Sequence, residues 1–151
     1  MQLRHPFPRR RGVTIVESAV VVPVALFLIL GLIVGGAGIY RYLQVASLAR
    51  EASRWASVRG TDYTQETNQP AATNQTIHDQ VVAAGAFGLD PNRLQTQVTW
   101  DQSNAPRRVI NSQGEARINT VTVTVTYDWF PEVFLVGPYT LRSTSTFPMS
   151  Y

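Results

Sequence analysis

The residues that invite a chemical reading lie at one join, Arg9-Arg10-Arg11-Gly12-Val13-Thr14-Ile15-Val16-Glu17. Three arginines and a glycine run directly into a long apolar segment, which carries one acid, Glu17, five residues past the glycine. Between residues 18 and 40 there is no charged side chain. A carboxylate near the end of a membrane helix is costly and by default marks a functional position. The join therefore offers an expensive acid at Glu17, close behind a basic cluster and a glycine.

Elsewhere the titratable residues are dispersed. His5 and His78 are the only histidines, there is no cysteine, and Asp62, Asp79, Asp90, Asp101, Glu115, Asp128 and Glu132 come one at a time. A metal site would have to be rich in carboxylates. No D-x-D-x-D-G loop, phosphate-binding glycine loop or G-x-S-x-G elbow appears. His78, beside Asp79 on a short helix, is expected to face solvent, and Arg107-Arg108 reads as a solvated turn. The expectation is a protein without catalysis, cofactor or metal; carboxylates meeting in space are the enzymatic route left open.

The element that positions the join is the apolar segment 18–40, which supplies the roughly 20 residues a bilayer core requires of a helix. Arg4, Arg9, Arg10 and Arg11 precede it and only Arg41 follows closely. The positive-inside rule then leaves the N-terminus in the cytoplasm and the body outside the inner membrane. Tyr40 and Tyr42 stand at an interfacial aromatic belt, with Arg41 placed to snorkel between them. Pro23 removes one backbone donor and is expected to kink the helix near residues 19–23. Gly31 and Gly35 form a G-x-x-x-G that lets a partner helix approach closely; glycine's general frequency in membrane helices is the plainer account.

Three fates fit this segment. It is a permanent anchor, or a secretory signal cut at the small residues Gly36-Ala37-Gly38, or a leader cut at Gly12 with the apolar helix retained. The run is longer than the roughly 7–15 apolar residues of a secretory signal, which disfavours the second.

The 151 residues hold about one domain, and the part beyond the apolar run is enough for one modest core. The net charge of +3 belongs to the first residues. Beyond residue 12 there are nine arginines against ten acids, a net of −1, so a nucleic-acid partner is not indicated. The lack of cysteine leaves the redox compartment open.

Past Tyr40 the helix is expected to continue to Arg59, with Val45, Leu48, Ala52 and Trp55 as an apolar stripe and Arg50, Glu51 and Arg54 off it. A helix over 13–59 would be roughly 70 Å long. Gly60 reads as its C-cap, and 61–74, rich in Thr, Gln and Asn, as a surface loop. A short helix is expected over 76–86, with Ile77, Val81 and Val82 near one face and Gly85, Gly88 and Pro91 ending it. Strands are expected over 94–101, over 120–129 and over 139–147, with a turn at Asn111-Ser112-Gln113-Gly114 and a connector through Phe134, Val136, Gly137 and Pro138. The second strand is the clearest, with Val121, Val123, Val125, Tyr127 and Trp129 on one face and Thr120, Thr122, Thr124, Thr126 and Asp128 on the other. The fold class is α+β, a long N-terminal transmembrane and amphipathic helix packed on a small antiparallel sheet. The division is a leader 1–12, a long helix 13–60 with its span at 18–40, and an extracytoplasmic head 61–151.

Arginines before Gly12, Glu17 five residues past it and a following apolar helix resemble a class III signal peptide. More narrowly, G-V-T-I-V-E-S-A-V-V-V-P from Gly12 to Pro23 and A-R-E-A-S-R-W-A-S-V-R-G from Ala49 to Gly60 resemble the TadE-like pseudopilins of tight adherence (Tad/Flp) pili. Ser18 departs from the aromatic common after the acid in such peptides. The head is also longer than that of the small major pilins. The resemblance implies cleavage of the Gly12–Val13 bond by a prepilin peptidase, with Val13 as the new N-terminus. It implies that Glu17 faces either the peptidase or the terminal amine of a neighbouring subunit. An ammonium and a carboxylate in hydrocarbon stabilise each other, and each alone is expensive there. The partners implied are the inner membrane, the peptidase, other pilins and pseudopilins and Tad assembly proteins, in a hetero-oligomeric assembly. A single-pass anchored binding module unrelated to pili is the alternative.

Overall fold

The computed structural model describes residues 11–104, 108–110, 112–131 and 137–150, with side chains of 11–14 and of Val109 left aside. The chain divides into two compact units, Met1–Ala37 and Gly38–Tyr151. Helix α1 (Arg11–Ser57) begins in the first and ends in the second.

In the first unit, the side chains described on α1 lie almost entirely exposed, Leu28, Leu32 and Phe27 among them. A helix apolar on every side with no protein against it is suited to lipid or to other helices. Among the described residues it is the one helix long and apolar enough to cross a membrane, and this fits a single-pass anchor. The helix assignment runs through Pro23 without interruption.

The second unit is built on the remainder of α1. Val45, Leu48, Ala49, Ala52, Ser53 and Ala56 are buried, at steps of three and one that keep them on one stripe. The stripe is richer in small residues than expected, and Trp55 lies at its margin, half-buried. Three of the six are alanines. They meet β4 (Thr120–Trp129), whose Val121, Val123, Val125 and Tyr127 are buried in the same core. Each such valine contributes about 1.5–3 kcal/mol by leaving water. The inward and outward alternation of β4 follows the expected faces.

β4 is central. It pairs antiparallel with β1 (Leu94–Asn104) through Leu94↔Tyr127 to Trp100↔Val121, and with β5 (Tyr139–Pro148) through Trp129↔Tyr139 to Thr120↔Pro148. The α+β class, with helix on antiparallel sheet, is the one expected.

Several boundaries differ from the sequence reading. α1 stops at Ser57, because the carbonyls of its last turn are taken: Ser57 Oγ donates to Arg54 O at 2.8 Å and Ser150 N to Ser57 O at 2.8 Å. Gly60 is not a left-handed C-cap. It has φ −82° and precedes α2 (Thr61–Thr67), where a loop was expected. Asn68, at φ 58°, closes α2 by donating to Thr64 O, a conformation asparagine tolerates well.

The next helix starts earlier than expected, as α3 (Asn74–Ile77). Thr73 and Thr76 cap it reciprocally, side chain to backbone, at 3.1 and 2.8 Å. It then widens into a π-helical turn, His78–Ala83. That turn lets Ile77 and Val82, five residues apart, both reach zero exposure. β1 runs three residues past the expected end. A second sheet, β2 (Arg108–Ile110) with β3 (Ala116–Ile118), flanks the expected turn, where Gly114 has φ 80°. Phe134, Val136 and Arg107 lie outside the described residues.

Candidate assembly segment and its anchor in the head

Arg9 and Arg10 lie outside the described residues. Arg11 opens α1, so Gly12 and Val13 fall in its first turn. Glu17 is one and a half turns further and exposed. Among the described residues it has no ion pair within 4 Å and no side-chain hydrogen bond is drawn to it. It therefore stands on an apolar helix with no charge from the described residues opposite it. Such a carboxylate is stabilised in hydrocarbon only by a cation or donor brought from elsewhere.

Gly31 and Gly35 share an open face: a methyl group added at either would meet nothing within 4 Å. Neither makes a close approach within this chain, so their shape is available to another helix. Gly38 behaves differently. A Cβ there would lie 2.7 Å from the ring of Trp129, so the glycine is the seat of that indole.

Around Gly38 the head grips the helix. The Arg41 guanidinium lies 5.9 Å from the centroid of Trp129 and donates to Tyr127 Oη at 3.3 Å and to Gly88 O at 3.5 Å. Gln44 Nε2 donates to Phe87 O at 2.8 Å. Trp129 in turn packs against Tyr139, ring centroids 6.3 Å apart. Arg41, expected to snorkel between Tyr40 and Tyr42, is thus held on the head by stacking and two hydrogen bonds. Nothing near residue 41 in the sequence signals partners 86 residues away. The only available hint was an isolated arginine after a charge-free run.

The remaining candidates for chemistry are occupied structurally. His78 is half-buried rather than solvated, its Nδ1 2.9 Å from Thr96 Oγ1. Asp79 accepts from Gln75 Nε2 at 3.0 Å, and Asp90 caps the 3-10 turn Pro91–Arg93 through Asn92 N and pairs with Arg93 at 3.4 Å. Asp128 accepts from Thr140 Oγ1 at 2.9 Å. Among the described residues no group of three His, Cys, Asp or Glu side chains could hold a metal.

Residues 12–54 match the family model described as TadE-like protein. The match begins at Gly12 and takes in Glu17, Pro23, Gly31, Gly35 and the buried stripe as far as Ser53. No curated protein and no solved structure matches the chain.

Proposed function

We propose that the chain is a membrane-anchored minor pilin or pseudopilin of a Tad-type pilus or secretion apparatus. It is processed after Gly12 by a prepilin peptidase and acts, without catalysis of its own, in pilus assembly and adhesion. The observation that carries this reading is the TadE-like match over residues 12–54, which begins at the glycine of the join. The exposed, unpaired Glu17 and the open glycine face are the features such a role requires.

In this reading Arg9, Arg10 and Arg11 hold the leader in the cytoplasm. The peptidase cuts between Gly12 and Val13, and Glu17 marks the fifth residue of the mature protein. After assembly the carboxylate of one subunit faces the terminal ammonium of the next. Each charge offsets the other's desolvation, and the pair fixes the axial stagger of neighbouring helices. The head stays outside the inner membrane, where pilins, pseudopilins and Tad assembly proteins meet it.

The test is the intact mass and N-terminal sequence of the protein purified from its native membranes. A start at Val13 is expected. An intact Met1 would mean a plain anchor and remove the processing role of Gly12. A start near Ile39 would mean a secreted head, and the assembly role of the helix would fall with it.

A further inference from the structure

The head carries a basic groove that neither the anchor nor the processing site uses. It lies between the C-terminal part of α1 and the end of β5, has a volume of about 830 Å³, and is lined by Arg50, Arg54, Trp55, Val58, Arg59 and Phe147 among others. The two walls are tied at Ser53 Oγ···Ser145 Oγ, 2.8 Å, and at Ser150 N to Ser57 O, 2.8 Å.

Three arginines outnumber its one acid, Glu51. Arg59 is held with its guanidinium 4.0 Å above the Trp55 ring and 5.6 Å from that of Tyr63. Arg50 and Arg54 are exposed and stand one turn apart on α1, a like-charge spacing that weakens a helix. Among the described residues neither has an ion pair within 4 Å, and Glu51, on the same wall, has none either. The helix C-terminus favours cations near Arg54, but it does not supply a counter-charge at the groove.

The second wall offers backbone. β5 is an edge of the sheet order β1-β4-β5. It is ten residues long, Arg142 is its only charge and its proline is the last residue. Edges that are not meant to pair are usually shortened, charged or broken by proline; β5 is long, with a single charge and a proline only at its last position. An extended segment added to such an edge gains main-chain hydrogen bonds and presents alternate side chains to one face. On this face those side chains would meet arginines, Trp55, Val58 and Phe147.

We propose that this groove is the docking site for an extended acidic and apolar peptide segment of a protein partner, which pairs with the free edge of β5 and sets carboxylates against Arg50 and Arg54. A uniformly charged polyanion fits less well. It would leave Val58 and Phe147 exposed, and it has no backbone amides for β5.

The experiment selects displayed random decapeptides on the full chain in phosphatidylcholine nanodiscs. Enriched peptides should alternate acids with apolar residues. Their affinity should fall about ten-fold or more in the double variant Arg50→Glu, Arg54→Glu, and fall with rising salt, as expected when close charge pairs are reversed. Arg142→Glu, on the outer face of β5, should leave binding unchanged, and bound peptide should slow hydrogen exchange of β5 amides. Thermal melting of each variant establishes that the head is folded. Failure to enrich any peptide, enrichment of acid-poor sequences, indifference to the double reversal, or binding of heparin in place of peptides would each overturn the proposal.

Discussion

At Glu17 the energetics turn on what stands opposite the carboxylate. Neither Glu17→Ala nor Glu17→Val adds a charge to the apolar helix, so membrane insertion should persist. In the proposed assembly, either would leave a neighbour's terminal ammonium unpaired in hydrocarbon, a loss of about 3–5 kcal/mol per contact where a buried pair is broken. Pilus output should therefore drop steeply, with cell fractionation still finding the protein in the membrane. Normal pili, together with unchanged mature mass, would remove the role assigned to this acid. A second residue-scale comparison concerns two glycines two positions apart. Gly36→Ala adds a methyl group to open space, so the melting temperature of the head should not fall. Gly38→Ala drives a methyl group to within 2.7 Å of the Trp129 ring. The gain of roughly 1 kcal/mol in helix propensity is then set against displacement of the indole and loss of the Arg41 stacking, worth about 0.5–1 kcal/mol, with its hydrogen bonds. Destabilisation and a changed tryptophan emission are expected for Gly38→Ala alone.

Among the elements, α1 is limited by how near it sits to β4. Ala52 has no exposed surface and lies in the core with Val121, Val123 and Val125. Ala52→Leu should improve helix propensity slightly yet cost about 1–3 kcal/mol through overpacking. The check is the urea midpoint of the full chain in detergent, followed by tryptophan fluorescence; a rise in midpoint would show slack in the helix–sheet contact. The elements read best from sequence were those whose pattern is local. β4 repeats Val and Thr at period two, and α1 repeats apolar residues at three and four, so both periodicities point to one buried face. α2 was hidden because its seven residues are polar throughout and bury nothing. The π turn was hidden because a five-residue step looks like a flaw in a helical stripe. The grip of Arg41 on Trp129 and Tyr127, and of His78 on Thr96, depends on pairs brought together only by the tertiary fold. The TadE-like match over residues 12–54 was legible for the opposite reason, since its signal lies in one contiguous stretch of sequence.

For the whole molecule, the division at Gly38 makes a strong statement about where stability resides. Every residue of the hydrophobic core cluster lies between Val45 and Met149, and the strands that pair all lie in the same unit. Residues 11–37 add no buried side chain among those described. Removing them should therefore cost the head no core contact while removing the exposed apolar surface that requires lipid or detergent. A fragment starting at Gly38 is expected to be soluble and monomeric without detergent and to unfold in one cooperative transition. Keeping Gly38 and Arg41 matters: a shorter fragment starting after Gln44 would free Trp129 and lose the donors to Tyr127, Gly88 and Phe87. It should melt lower by the equivalent of about 2–5 kcal/mol, the sum of one cation–π contact and three hydrogen bonds. Size-exclusion chromatography and thermal circular dichroism on the two fragments decide the point. Equal melting would mean that the contacts at the start of the head are ornamental to its stability. Aggregation of the longer fragment without detergent would mean that the head depends on the anchor, and the two units could no longer be treated as energetically separate.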